Sequence, residues 1–230
     1  MKTYVTLTID GAQVRAPQGA SVLDAALQAG ICIPHLCHIH YLTPLGACRL
    51  CLVEVGEPEH RKVTASCTLD VQEGMVVQAH SERVRHLRRN VAELLVAAAP
   101  NSKAIQDMAV RCGVEEVRYP FQRKDCVLCG RCVRACGQVF NAKALGFVGR
   151  GKERKVAHPF GGRRPGFCKG CDACISLCPM TITPCIGPFA PGEERLCGRC
   201  ASQLSMVETV EDQCVWCELG KGTGCQRQMA

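Results

Sequence analysis

The chain has 230 residues, a formal net charge of +7, one Trp, three Tyr and 20 Cys. Cysteine at that density means either a disulfide framework or metal, and so few aromatics argue against a large conventional core as the only source of folding energy. The basic residues gather at Arg83, Arg85, Arg88 and Arg89 and across 149–164; they read as a solvated helix face and a charged loop rather than as a nucleic-acid surface.

The chain opens on polar, strand-like residues after Met1, with no apolar leader core and no small-residue cleavage site. This predicts a reducing, cytoplasmic setting, where disulfides are rare. Tyr4, Thr6 and Thr8 alternate with Val5, Leu7 and Ile9, and Asp10-Gly11 leads into Ala12–Arg15, so a β-hairpin is expected. Ser21 with Asp24 forms a capping pattern ahead of Val22, Leu23, Ala26 and Leu27, and Gly30 supplies the helix stop. Leu52–Val55 and Met75–Gln78 read as two further short strands. Over 81–99 the apolar positions Val84, Leu87, Val91, Leu94, Leu95 and Ala98 recur at helical spacing, which predicts a linker helix with its arginines on the opposite face. A second helix is predicted over 102–111 before Gly113. Residues 119–188 are rich in cysteine and turns, interrupted by a Gly/Arg/Lys insert at 149–166. No run approaches the ~18–20 apolar residues of a membrane span.

Four sets of cysteines follow one another. Cys37, Cys48, Cys51 and Cys67 are spaced x10, x2 and x15: a loop of three with a distant fourth, the plant-type [2Fe-2S] pattern with a longer first gap. A two-iron rhomb needs four converging thiolates, and the small Gly46 and Ala47 would let backbone N–H groups approach its sulfides. Cys126, Cys129, Cys132, Cys136 and then Cys168, Cys171, Cys174, Cys178 repeat the x2, x2, x3 spacing of bacterial ferredoxins, the second run followed by Pro179 and the first by Gly137. In such pairs the fourth cysteine of each run serves the other cluster, so one [4Fe-4S] cluster is expected on Cys126, Cys129, Cys132 and Cys178 and the other on Cys168, Cys171, Cys174 and Cys136. Cys197, Cys200, Cys214 and Cys217 form two knuckles spaced x13 apart, suited to one zinc or to a third [4Fe-4S] cluster. Cys32, Cys112, Cys185 and Cys225 fall outside the spacings. His35, His38 and His40 flank Cys37 and are read as packing around the loop rather than ligating. There is no dinucleotide fingerprint, P-loop or nucleophile beside a base, so the expected role is one-electron transfer without catalysis by this chain.

With these sets in place, Pro34-His35-Leu36-Cys37, the run Gly46–Val55, Cys67 and Glu73–Val77 resemble, in order, the diaphorase iron-sulfur small subunit of NAD-reducing nickel-iron hydrogenases and the N-terminal region of the large complex I iron-sulfur subunit. The likeness covers residues ~1–190. It implies a position between a flavin-containing NAD(P)H-reactive subunit and a catalytic oxidoreductase subunit, hydrogenase-like or formate-dehydrogenase-like. Relatives typically carry a further histidine–cysteine cluster between the linker helix and the ferredoxin region; here Ala97-Ala98-Ala99 passes through Pro100-Asn101-Ser102 directly to Ile105–Ala109.

The expected fold is therefore α+β: a β-grasp [2Fe-2S] module over 1–80, a helical linker over 81–118, a two-cubane module over 119–190 and a four-cysteine metal-binding tail over 191–230. Two other readings are a free ferredoxin-like carrier, for which this chain is long and basic, and an iron-sulfur redox sensor, for which no helix-turn-helix is evident.

Overall fold

The structure, a computed structural model, describes residues 3–122, 126–158, 165–168 and 170–180. Strands β1 (Tyr4–Ile9) and β2 (Ala12–Pro17) form the expected antiparallel hairpin. Asp10 and Gly11 both have positive φ, 49° and 84°, the two-residue turn whose twist matches the flanking strands. Helix α1 (Val22–Gln28) starts at Ser21, whose hydroxyl oxygen accepts the Asp24 N–H at 3.0 Å, meeting one of the donors a helix start leaves open. β3 (Leu52–Val55), β4 (Lys62–Ala65) and β5 (Val76–Gln78) complete a sheet in the order β2-β1-β5-β3-β4, with β1 and β5 parallel and the other pairs antiparallel.

Strand β4, whose end leads to Cys67, alternates polar Lys62 and Thr64 with apolar Val63 and Ala65, and it is held as the edge strand by its register with β3, Leu52 facing Ala65. Between sheet and α1 lies a core that includes Leu7, Ile9, Val22, Leu23, Ile33, Val53 and Val77, all essentially free of solvent.

Helix α2 (Glu82–Ala98) is capped by Ser81, and α3 (Lys103–Arg111) by Ser102. The buried stripe of α2 differs from the expected one: Arg88 and Glu93 are buried and Leu94 is exposed. Both buried charges have partners that the sequence does not bring near. Arg88 donates through Nη2 to the Leu52 carbonyl at 2.6 Å. Glu93 accepts the Arg118 backbone N–H at 2.7 Å and its guanidinium at 2.6–3.1 Å. At the other end, Glu54 on β3 accepts the Ser81 hydroxyl at 2.6 Å and Arg83 at 3.3 Å, so α2 is bolted to the sheet at its start and middle.

Beyond α3 the elements shorten. Helix α4 (Arg131–Arg134) runs into a π-helical turn, Ala135–Val139. Strands β6 (Gly146–Val148) and β7 (Lys155–Ala157) form a small antiparallel hairpin, so part of the Gly/Arg/Lys insert is ordered structure rather than plain loop. Arg154 stacks 4.3 Å from the Phe147 ring centroid, a contact that sequence composition does not reveal. Helix α5 (Ala173–Ser176) packs on α4 and on the π-helical turn. Among the described residues, no helix is long and apolar enough to cross a membrane.

Candidate iron-sulfur sites

The loop after α1 carries Cys37 and returns through Cys48 and Cys51 into β3, while Cys67 stands in a single turn at the end of β4. All four cysteines are buried. Their thiols meet: Cys37 is hydrogen-bonded to Cys48 and Cys67, and Cys51 to Cys67. Hydrogen bonds from Cys48 and Cys67 hold Cys37 far below the ordinary thiol value against the opposing effect of burial. The Cys67 thiol likewise brings Cys51 down to about 6. Cys48 and Cys67, the donors in these bonds, are pushed up.

Backbone N–H groups converge on the same sulfurs. Those of Cys48 and Ala47 reach Cys37, that of Cys37 reaches Cys48 Sγ at 3.4 Å, and those of Cys67 and Leu50 reach Cys51 and Cys48. Four buried sulfurs, three of them with N–H donors aimed at them, are a cradle for thiolates, and four thiolates at such close range would require cations among them. The residues therefore fit an iron-sulfur group. Among the described residues no group of three or more His, Cys, Asp or Glu is arranged to hold a single metal ion.

The neighbouring histidines are packed. His35 is buried with Nδ1 at 2.9 Å from the Ile33 carbonyl, and His38 is buried with Nε2 at 2.8 Å from Asp24 Oδ1. The two rings meet edge to face at 5.7 Å between centroids. Gly46, at φ 66°, leaves 3.2 Å between a built Cβ and the Thr68 methyl, so a larger residue there would press on the turn that carries Cys67.

The second group lies in the short-element region. In the run from Cys126 to Cys132, Leu128 and Gly130 take left-handed backbone, and in the run from Cys168 to Cys174 Gly170 and Asp172 do so at the matching positions. The repeat in spacing is thus a repeat in conformation. Each run curls by two left-handed residues and then starts a short helix, α4 or α5, at the residue before its third cysteine. The curl turns N–H groups toward sulfur, as with Leu128 N–H to Cys126 Sγ at 3.3 Å. Burial raises Cys129 to about 11 and Cys132 to about 12, and for both the charges of Cys126 and Cys178 add to the rise. Cys178, from the far end of the second run, lies close enough to Cys129 and Cys132 for its charge to act on both. Cys136 lies in the π-helical turn against which α5, carrying Cys174, is packed, and its sulfur accepts the Ala144 N–H at 3.2 Å. Cys168 and Cys174 are partly exposed and Cys171 is exposed.

Cys197, Cys200, Cys214 and Cys217 lie outside the described residues, as do Cys185 and Cys225. What sequence reasoning missed is the set of arginines between the groups. Arg131 and Arg134 are buried, and both reach across to carbonyls of the first cysteine loop. Their only signal in the sequence is their place inside the first ferredoxin run.

Two family models match. Residues 2–82 match a 2Fe-2S iron-sulfur cluster binding domain and residues 125–182 a 4Fe-4S dicluster domain. The chain is 30% identical over 227 residues to the NADPH-Fe(3+) oxidoreductase subunit alpha of Geobacter sulfurreducens, covering 80% of this chain and 26% of that protein. It is 33% identical over 207 residues to an NADH-quinone oxidoreductase subunit of Streptomyces coelicolor, covering 76% and 24%. A chain in the crystal structure of an NAD+-reducing [NiFe]-hydrogenase in the H2-reduced state matches with a TM-score of 0.60 and 31% identity, over 67% of this chain and 75% of that one. The chain thus spans about a quarter of the length of these two curated relatives.

Proposed function

Because the chain belongs to the family of iron-sulfur subunits found in NAD(P)-linked hydrogenases and NADH-quinone oxidoreductases, we propose that it relays single electrons between a flavin-containing NAD(P)H-reactive subunit and a catalytic oxidoreductase subunit, hydrogenase-like or formate-dehydrogenase-like, in the cytoplasm. In this reading residues 1–80 are a β-grasp module holding one [2Fe-2S] cluster on Cys37, Cys48, Cys51 and Cys67. Residues 81–118 are a helical linker. Residues 119–190 hold two [4Fe-4S] clusters, one on Cys126, Cys129, Cys132 and Cys178 and one on Cys168, Cys171, Cys174 and Cys136. The tail from 191 binds zinc, or a third [4Fe-4S] cluster, through Cys197, Cys200, Cys214 and Cys217. When bound, the clusters supply reversible one-electron chemistry without proton transfer.

A single observation carries the relay reading: Cys37 and Cys48 of the first group and Cys129 of the second belong to one apolar core, filled by Leu36, Leu50, Ile105 and Met108. Redox groups that pass electrons through protein must be neighbours, and these cysteines belong to the same packed cluster of side chains. The rest of the chain contributes enclosure. Helices α2 and α3 cover this core, and the Ser102 hydroxyl donates to the Pro179 carbonyl at 3.0 Å, tying the start of α3 to the end of the second run.

The test uses untagged chain purified anaerobically. About ten iron atoms are expected in the three described sites, together with no NAD(P)H oxidation with a one-electron dye, since nothing here splits a hydride into single electrons. NAD(P)H should reduce the clusters only after addition of the flavin-bearing partner that co-purifies from the native source. Turnover by the flavin-free chain alone contradicts the relay. For the tail, replacing Cys214 and Cys217 together removes one zinc and leaves iron unchanged, or removes about four irons.

A further inference from the structure

Arg134 sits in the last turn of α4, two residues after Cys132 and two before Cys136. Its guanidinium leaves its own region. Nη1 donates to the Thr43 carbonyl at 2.7 Å, Nη2 donates to the Cys37 carbonyl, and Nε donates to the Gly130 carbonyl at 3.3 Å. Arg131, one turn earlier, donates through Nη2 to the His38 carbonyl at 3.3 Å, and Gln138 accepts the Thr43 N–H at 2.9 Å. The loop from Cys37 to Thr43 is thus gripped by three side chains from the ferredoxin run. Packing closes the same seam: a Cβ on Gly130 would stand 2.7 Å from Leu45 and 3.0 Å from Phe147, so the two regions meet there without space for a side chain.

The acceptors on Arg134 are neutral carbonyl oxygens. They satisfy the fork and leave its positive charge in place. Nη2 rests on the carbonyl of Cys37 and Nε on the carbonyl of Gly130, the residue after Cys129. Arg134 therefore lies beside a ligand of each group. Arg88 is a contrasting case: it is also buried, but its Nη2 donates to the carbonyl of Leu52, next to Cys51, and Cys51 belongs to the first group alone.

We propose that Arg134 is a positioning residue shared by two clusters: its fork fixes the [2Fe-2S] loop against the first ferredoxin run, and its charge stabilises the reduced state of both the [2Fe-2S] cluster and the cubane bound through Cys129. This rests on the relay reading above. A thiolate-bound cluster is a net anion that becomes more negative on reduction, so a nearby fixed cation favours the reduced form and raises the potential. A cation common to two clusters moves both potentials in the same direction and leaves the step between them small. The cation also offsets part of the repulsion between two anionic groups held close together.

The experiment is an anaerobic redox titration of the full chain, followed by electron paramagnetic resonance, on wild type, R134Q, R134K and R88Q. R134Q shifts the [2Fe-2S] midpoint and one cubane midpoint together to more negative values. R134K, which keeps the charge on a flexible stem and loses the planar fork, shifts both less. R88Q shifts the [2Fe-2S] midpoint alone. A purely structural Arg134 would change cluster content and leave the potentials of loaded protein unmoved. Fully loaded R134Q in which neither midpoint moves, or only one, overturns the proposal. If both variants lose iron, loss from both sites together is the expected result, and loss from one site with the other intact contradicts it. Absence of a [2Fe-2S] or cubane signal in wild type would instead defeat the relay reading.

Discussion

The two cysteine-bearing regions are built on different physical terms. The first, residues 3–82, places its four cysteines at the rim of a sheet-and-helix core in which Leu7, Ile9, Leu23 and Val53 are fully buried. The second, residues 126–180, has helices of four residues, one three-residue hairpin, and cysteines that are mostly half-exposed. A helix of four residues cannot pay its own nucleation cost. The lesson is that the first region folds around its hydrophobic core and then offers a site, whereas in the second the site is the core, and metal-ligand bonds supply what buried apolar area does not.

Iron removal tests the contrast with the largest expected effect. After anaerobic chelation, amide hydrogen exchange over β1, β2, α1 and β3 retains most of its protection, while α4, the π-helical turn and α5 lose theirs by orders of magnitude. Equal loss in both regions would show that the [2Fe-2S] region also depends on metal for its fold. A cavity in the first core comes next. Leu7→Ala, at a position with no solvent exposure, costs about 2–5 kcal/mol of stability in the first region, read by denaturant melts of iron-free protein, with no change in the iron-dependent protection of α4 and α5. A smaller effect sharpens the account of how β1 is joined to the start of α2. Burial raises the Asp10 carboxyl, but the His80 ring and the Ala79 and His80 N–H groups, at 2.7, 2.7 and 3.3 Å, outweigh it and leave the group below its usual value. A carboxyl lowered in the folded state contributes stability that is full above about pH 4, its unfolded value, and is lost as pH falls through the folded one. The stability difference between wild type and Asp10→Asn therefore shrinks as pH falls below about 4. A difference that grows as pH falls below about 4 contradicts the assignment.

Local chemistry made much of this molecule legible in its sequence. The Asp10-Gly11 turn and the Ser21 cap are short-range signals, and each element stands where they put it. The spacing of Cys37, Cys48, Cys51 and Cys67 picked out four thiols that the fold brings into contact. What stayed hidden depends on partners distant in the chain. Arg88 and Glu93 look like solvent-face residues until Leu52 and Arg118 are brought to them. β4 alternates over only four residues, and its edge position is set by its pairing with β3. Arg131 and Arg134 read as ordinary helix charges, and their reach to residues 37–43, more than ninety positions earlier, is set by tertiary packing alone.

The central claim is that the chain crosses over, so that Cys178 serves the group of Cys126, Cys129 and Cys132. The most direct measurement compares the paramagnetic signals of Cys178→Ser, Cys126→Ser and Cys168→Ser in anaerobically prepared full-length protein. The crossed arrangement predicts that Cys178→Ser alters the same cubane signal as Cys126→Ser and leaves intact the one that Cys168→Ser removes. If Cys178→Ser instead alters the signal removed by Cys168→Ser and spares the other, each run holds its own cluster and the crossed arrangement is wrong.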